Sequence, residues 1–276
     1  MSAYRARVLL GLLALAAAFA LAGCSRGEPI QYGYKVGHTE GFVIWLTQQT
    51  KNEAMPNDFK RVILRGRLNL RVRSLAPNGT TVLEFWLENM SGQLQTNNTQ
   101  QAMTNIEQLN GQVLHMTLDA HGNVLTIQTP VQPKPEWSGT LQNIRQSLRE
   151  LWPALPNRLS RGTSWSRTIT AEDEVQPMGV VRFTTQSSYE ARDLHPIGNR
   201  QAMELDTHYR LSMVMHKRPM TNFNSSGYDI TADGSGSGSL YIDPKDGRLI
   251  AAQYETILNF SSDAAPVSMR SHIRQE

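Results

Sequence analysis

The sequence predicts a mainly β protein: a curved antiparallel sheet, half-barrel-like, made of two strand-hairpin-hairpin repeats linked by one amphipathic helix. Three observations predict it. Apolar and polar residues alternate along several stretches, the period of a strand with one buried face. Pro, Asn, Asp and Gly cluster between those stretches as turn signals. Similar turn motifs then recur at offsets of 119 to 124 residues, the mark of an internal repeat.

The first hairpin is the best-defined element. Arg67-Leu68-Asn69-Leu70-Arg71-Val72-Arg73 alternates strictly and is followed by Ala76-Pro77-Asn78-Gly79. That order suits a four-residue loop with glycine in the left-handed position. Closing the loop between Leu75 and Thr80 places Val72 opposite Leu83, Leu70 opposite Phe85 and Leu68 opposite Leu87 on one face. On the other face Arg71 meets Glu84 and Arg67 meets Glu88. A slip of one residue would destroy both sets.

A second hairpin runs through 113–119, turns at 120–123 and returns over 124–129, pairing Leu118 with Leu125 and Met116 with Ile127. The plan returns at 240–243 and 248–250 around Pro244-Lys245-Asp246-Gly247, with Asp243 matching Asp119. Residues 193–198 (DLHPIG) match 74–79 (SLAPNG), and Trp165 matches Trp45 in the strand that opens each half.

Between the halves a Pro-rich stretch, 130–135, leads into the one helix. Trp137, Leu141, Ile144, Leu148 and Leu151 recur at spacings of four, three, four and three, which lines one side with apolar residues. Pro153 and Pro156 end it. This side needs a cover, and the concave face of the sheet supplies one. Two polar excursions interrupt the strands: 91–110, with a short helix hinted by Ala102, Met103, Ile106 and Leu109, and 216–238, closing in Gly234-Ser235-Gly236-Ser237-Gly238. Loops this long inside a compact domain are usually functional or mobile.

The chain has 276 residues and a single cysteine, Cys24, which excludes a disulfide framework and a multi-cysteine zinc site. Its 27 Lys plus Arg stand against 24 Asp plus Glu, and without Arg5 and Arg7 the formal net charge is +1. Such a near-neutral body has little pull on nucleic acid, so no nucleic-acid partner is expected.

The chemistry-bearing residues support no active site. The histidines at 38, 115, 121, 195, 208, 216 and 272 include no HExxH or HxH pattern, so neither a metal nor another cofactor is expected. His121 and His195 fall in expected turns. Asp119, Asp243 and Asp246 sit beside turn glycines, where Asp bonds backbone amides. Glu172-Asp173-Glu174 reads as a solvated charge cluster on a loop. The central residue of the run at 234–238 is glycine, whereas a hydrolase elbow needs serine there. No phosphate-loop motif occurs; the run reads as a lead-in to the next strand. A triad can assemble without any local motif, so a hydrolase stays among the readings. Arg61, Arg65, Arg67, Arg71 and Arg73 mark the solvent face, with Arg61, Arg65 and Arg73 left open as a lipid-headgroup contact.

The first segment has the form of an export signal. Arg5 and Arg7 precede an apolar run over 8–21, 14 residues long, short of the roughly 20 that span a bilayer. It closes in Leu21-Ala22-Gly23-Cys24, which resembles the bacterial lipoprotein signal box. That resemblance implies removal of 1–23, acylation of Cys24, a lipidated tether over 24–30 and membrane attachment through palmitate-type chains. Ser25, rather than Asp, follows the cysteine; the resemblance then implies the outer membrane of a Gram-negative bacterium, on the periplasmic face. The remaining boundaries are 31–130 for the first repeat, 131–156 for the linker and helix, and 157–276 for the second repeat.

Signal box, curved sheet and covering helix together resemble the envelope lipoproteins built as half-barrels, of which the carriers LolA and LolB are examples. The duplication also resembles two-repeat all-β envelope lipoproteins. Both likenesses are architectural and transfer no functional residue. The expected function is that of a non-enzymatic outer-membrane lipoprotein. It would bind a lipid, a lipidated protein or an envelope-assembly partner on an apolar face formed by Trp137, Leu141, Ile144, Leu148, Met203, Leu205, Tyr209 and Met213. Methionine suits adaptable surfaces of this kind. A structural subunit anchoring an envelope complex by its polar loops is the alternative.

Overall fold

The computed structural model describes residues 33–52, 55–131, 134–175, 179–217, 229–262 and 267–275. The signal segment, Cys24 and the tether lie outside the described residues, as does 218–228 of the second excursion.

The first copy contributes β1 (Thr39–Asn52), β2 (Met55–Leu75), β3 (Thr81–Thr96), the short β4 (Gln100–Ala102), β5 (Val113–Leu118) and β6 (Val124–Gln128). The helix α1 (Pro135–Leu151) follows. The second copy contributes β7 (Ser164–Val175), β8 (Gly179–Ile197), β9 (Arg200–Lys217), β10 (Asp229–Ile242), β11 (Leu249–Ser262) and β12 (Val267–Gln275). The fold is mainly β, antiparallel and not closed into a barrel. Its strands run in the order β6-β5-β3-β2-β1-β12-β11-β10-β9-β8-β7, with β4 paired to β3. Each copy is a meander, and the last strand joins them. β12 pairs with β1 on one side and β11 on the other, which makes one continuous sheet. The repeat plan contains no such strand, although Val267, Met269 and Ile273 alternate with Ser268, Arg270, His272 and Arg274 and only Ser271 breaks the period.

The first hairpin has the expected register: Val72 pairs with Leu83, Leu70 with Phe85, Leu68 with Leu87, Arg71 with Glu84 and Arg67 with Glu88. The loop closes one residue away from the expected place, Leu75 pairing with Thr81, and a bulge between Val72 and Ser74 absorbs the difference. The ladder of the second copy shifts at the matching place, between Ala191 and Leu194. In both copies the last paired residue before the shift closes the opening turn. Val72 donates to the His38 carbonyl and accepts from Gly37; Ala191 donates to the Thr163 carbonyl and accepts from Gly162. Gly37 and Gly162 have φ of 83° and 82°, left-handed values that favour glycine.

Several expectations need correction. Leu118 pairs with Val124 instead of Leu125, because the ladder shifts beside the turn, and Leu125 is exposed. Trp45 and Trp165 are not equivalent. Trp45 pairs with Arg65 and lies on the outer face, where the Arg65 guanidinium sits 3.8 Å from its ring centroid. Trp165 pairs with Tyr189 and stacks on it within the core. The second-copy counterpart of Trp45 in register is Thr170, opposite Thr184. His195 lies within β8 rather than in a turn, since β8 runs on to Ile197 and β9 starts at Arg200. The excursion at 91–110 is a prolongation of β3, the return strand β4, and one 3-10 turn (Ile106–Leu109) whose Ile106 and Leu109 enter the core.

The Gly-Ser run is not a loop either. It forms the middle of β10, paired with β9 and β11 on both sides. Its glycines face inward. A Cβ at Gly236 would meet the Tyr209 ring and the Glu255 carbonyl, and one at Gly238 would meet the Tyr254 ring. Glycine in a strand marks such close approach. Two buried tyrosines fold over the bare backbone of β10.

Candidate functional site

The helix starts with Pro135 in its first turn, and Lys134 at the N-cap is extended. Trp152 ends it with φ −104° and ψ 83°, outside the helical region that a following proline disfavours. Its apolar side faces the sheet. Trp137, Leu141, Ile144 and Leu148 are each at most 8% exposed and belong to one cluster with Leu70, Phe85, Leu87, Met116, Met203, Leu205 and Tyr209. Beyond the helix, Trp152 meets the Phe85 ring edge-on at 5.4 Å and donates from Nε1 to the Tyr34 hydroxyl at 2.9 Å. Seven of the eight expected binding-face residues are therefore packed core. The eighth, Met213, is partly exposed and lies against a second cluster: Val181, Phe183, Leu211 and Leu258, bordered by Ala171 and Met215.

A polar seam runs along the side of the helix that faces the second copy. Asp173 on β7 is 6% exposed and accepts from Arg149 Nη1 at 2.7 Å, Arg145 Nη2 at 2.6 Å and Gln142 Nε2 at 2.8 Å. Burial raises the Asp173 pKa, but the hydrogen bonds from Arg149 and Gln142 and the charges of both arginines outweigh it and hold the carboxyl below its usual value. Arg145 also donates to the Ile127 carbonyl on β6 at 2.8 Å. One side chain thus ties the two terminal strands of the open sheet, β6 and β7, to the helix. Arg149 extends over the Phe183 ring at 5.0 Å. The expectation of a solvated Glu172-Asp173-Glu174 loop is overturned for Asp173. The missed signal was parity: Trp165, Ile169, Ala171 and Asp173 share the inward side of one strand.

Next to this seam lies Glu150, half-buried, which accepts from Gln146 Nε2 at 2.7 Å. Burial pushes its carboxyl up to about 7, against a small lowering by that bond. Gln146 also donates to the Thr185 hydroxyl at 3.3 Å, and the Tyr254 hydroxyl donates to the Glu150 carbonyl at 3.4 Å. Tyr209 and Thr256 share a hydroxyl contact below.

The remaining candidates have structural roles. Asp119 accepts from the His121 and Asn123 amides at 2.8 Å, and Asp243 from the Lys245 amide at 2.9 Å, which closes their turns. On the outer face Glu84 holds Arg71, Arg73 and His115. Arg61 donates to Gln49. Arg61, Arg65 and Arg73, unassigned by the sequence, thus have the neighbours Gln49, Trp45 and Glu84.

Fold and site together define an open, duplicated antiparallel sheet whose concavity is filled by its own linking helix. Comparison with known proteins found no matching family model and no similar curated protein.

Proposed function

We propose that the protein is a non-enzymatic lipoprotein, held in the outer membrane by acylated Cys24. It binds an acyl chain or a lipidated partner at the inner face of its second copy. The observation that supports this reading is the second apolar cluster. It stands apart from the main core and is bordered by the partly buried Ala171, Met213 and Met215. The expected binding face at Trp137, Leu141, Ile144 and Leu148 is occupied by packing, so the ligand's place moves to this border. Methionines there conform to chains of different shape.

The test is native mass spectrometry of protein purified without Cys24, compared with a Met213→Trp variant. Acyl-containing adducts on the first and fewer on the second support the reading. Empty protein from repeated preparations in mild detergent counts against it. Separately, Cys24→Ser should move the protein out of the envelope fraction.

A further inference from the structure

The outer face of the second copy carries a groove over β10. Its volume is about 660 Å³, within the range of roughly 300–1,000 Å³ typical of small-ligand sites. The strand register places its walls. Ser235 of β10 pairs with Arg210 of β9 and Ile257 of β11, and Ser237 pairs with His208 and Glu255. One strand further out, Gln186 of β8 pairs with Arg210 and Ser188 with His208. Both β10 serines are exposed and short, so they form the floor between longer side chains on either side.

The lining sorts among ligand classes. β10 is paired on both sides from Ile230 to Tyr241. Its main chain offers no open edge here, so a polypeptide cannot enter as an added strand. Ile257, 42% exposed, is the one apolar side chain among the outward-facing lining residues, too little for an acyl chain. The charges balance. Arg210 stands against Glu255, and the His208 ring lies 3.6 Å from Asp206, which also accepts from Arg192 at 3.0 Å. A phosphate-rich ligand calls for an excess of cations, and this lining has none. What it does have is a polar set that both donates and accepts. Ser188 donates to the His208 carbonyl at 3.4 Å and keeps its oxygen lone pairs for a ligand. The β10 serines and the Gln186 amide can do both, Arg210 donates and Glu255 accepts.

We propose that this groove binds an uncharged oligosaccharide, a β-linked chain of hexose rings laid along β10. Each sugar hydroxyl donates and accepts, which matches the mixed lining, and bridging waters fill the contacts that side chains do not reach. The C–H face of a ring rests on Ile257. The β10 ladder has no register shift from Ile230 to Tyr241, so the groove follows a regular strand. A β-linked chain extends in the same way, whereas an α-linked one coils away from it. The groove lies on the opposite face of the sheet from the acyl-binding border and stands or falls without it.

Two-dimensional NMR of the full chain tests the proposal, with cellotetraose as the probe. The sugar should shift the amides of Ser188, His208, Arg210, Ser235 and Ser237 with a Kd of about 1 mM or tighter. Maltotetraose, its α-linked counterpart, should bind at least ~10-fold more weakly. Ser237→Leu raises the floor of the groove from the solvent side and should weaken cellotetraose binding about tenfold or more while the thermal midpoint stays put. If that variant does not fold, the shift map of the parent protein and the comparison of the two sugars still decide. No shifts at ~10 mM cellotetraose overturn the proposal, as does equal binding of maltotetraose. Shifts confined to inner-face residues such as Met213, or unchanged binding by folded Ser237→Leu, overturn it too.

Discussion

The inner face of β2 and β3 in the first copy is aliphatic and aromatic: Leu68, Leu70, Val72, Leu83, Phe85 and Leu87 are all almost fully buried. The matching strands of the second copy bury Thr185, Ser187, Tyr189, Thr207 and Tyr209 in the same kind of position, over the glycines of β10. The same strand plan thus carries a dry core in one copy and a hydroxyl-bearing one in the other. The reason is the helix. Its apolar side joins the main core, while Gln142, Arg145, Gln146 and Arg149 turn toward β7 and β8 and need partners there. A buried polar group without a partner costs roughly 1–3 kcal/mol, so the second copy supplies hydroxyls and one carboxylate.

The largest expected effect comes from removing that carboxylate. Asp173→Ala leaves Arg145 and Arg149 facing each other without compensation and should lower stability by about 3–5 kcal/mol in urea unfolding. Glu84→Ala, in the outer cluster of the first copy with half-exposed arginines, should cost only about 0–1 kcal/mol. Similar losses for both would break the contrast between seam and surface.

A smaller effect tests the glycines. Gly236→Ala puts a methyl group against the Tyr209 ring and the Glu255 backbone, and should cost roughly 1–3 kcal/mol through overpacking. Ser237→Ala, one residue along and facing solvent, should stay within ~0.5 kcal/mol. A neutral Gly236→Ala would mean that the tyrosines do not need the bare strand.

The smallest effect is a pH dependence. Glu150 has its folded pKa raised by burial to about 7, above its unfolded value near 4.5. Between those values the folded state holds a proton that the unfolded chain has released, so stability falls as pH rises through this window. Asp173 acts in the opposite sense: its folded pKa is lowered, and its contribution is lost only as pH falls below the ordinary carboxylate range. Urea midpoints at pH 5 and pH 8 should therefore differ less in Glu150→Gln than in the parent protein. An unchanged difference would place the titration elsewhere.

Local pattern and tertiary context divide cleanly along the chain. Alternation over 67–73, with the Pro-Asn-Gly turn, sufficed to place five cross-strand pairs correctly, because a slip by one residue exposes a whole apolar face. The helix was equally legible from its 3.6-residue stripe. The Gly-Ser strand was not, since glycine's local preference argues against a strand and only the tyrosines of neighbouring strands reverse it. The equivalence of Trp45 and Trp165 failed for a related reason: similar spacing does not record which face a residue takes.

The sequence by itself determined the β class, the duplication, the first hairpin's register and the helix that joins the copies. These depend on periodicity and turn chemistry within short segments. Only the tertiary structure decided that β12 unites the copies, that the helix fills the concavity, and that Asp173 is buried beneath two arginines. Those outcomes depend on contacts between segments far apart in the chain, where burial and charge pairing outweigh local preference.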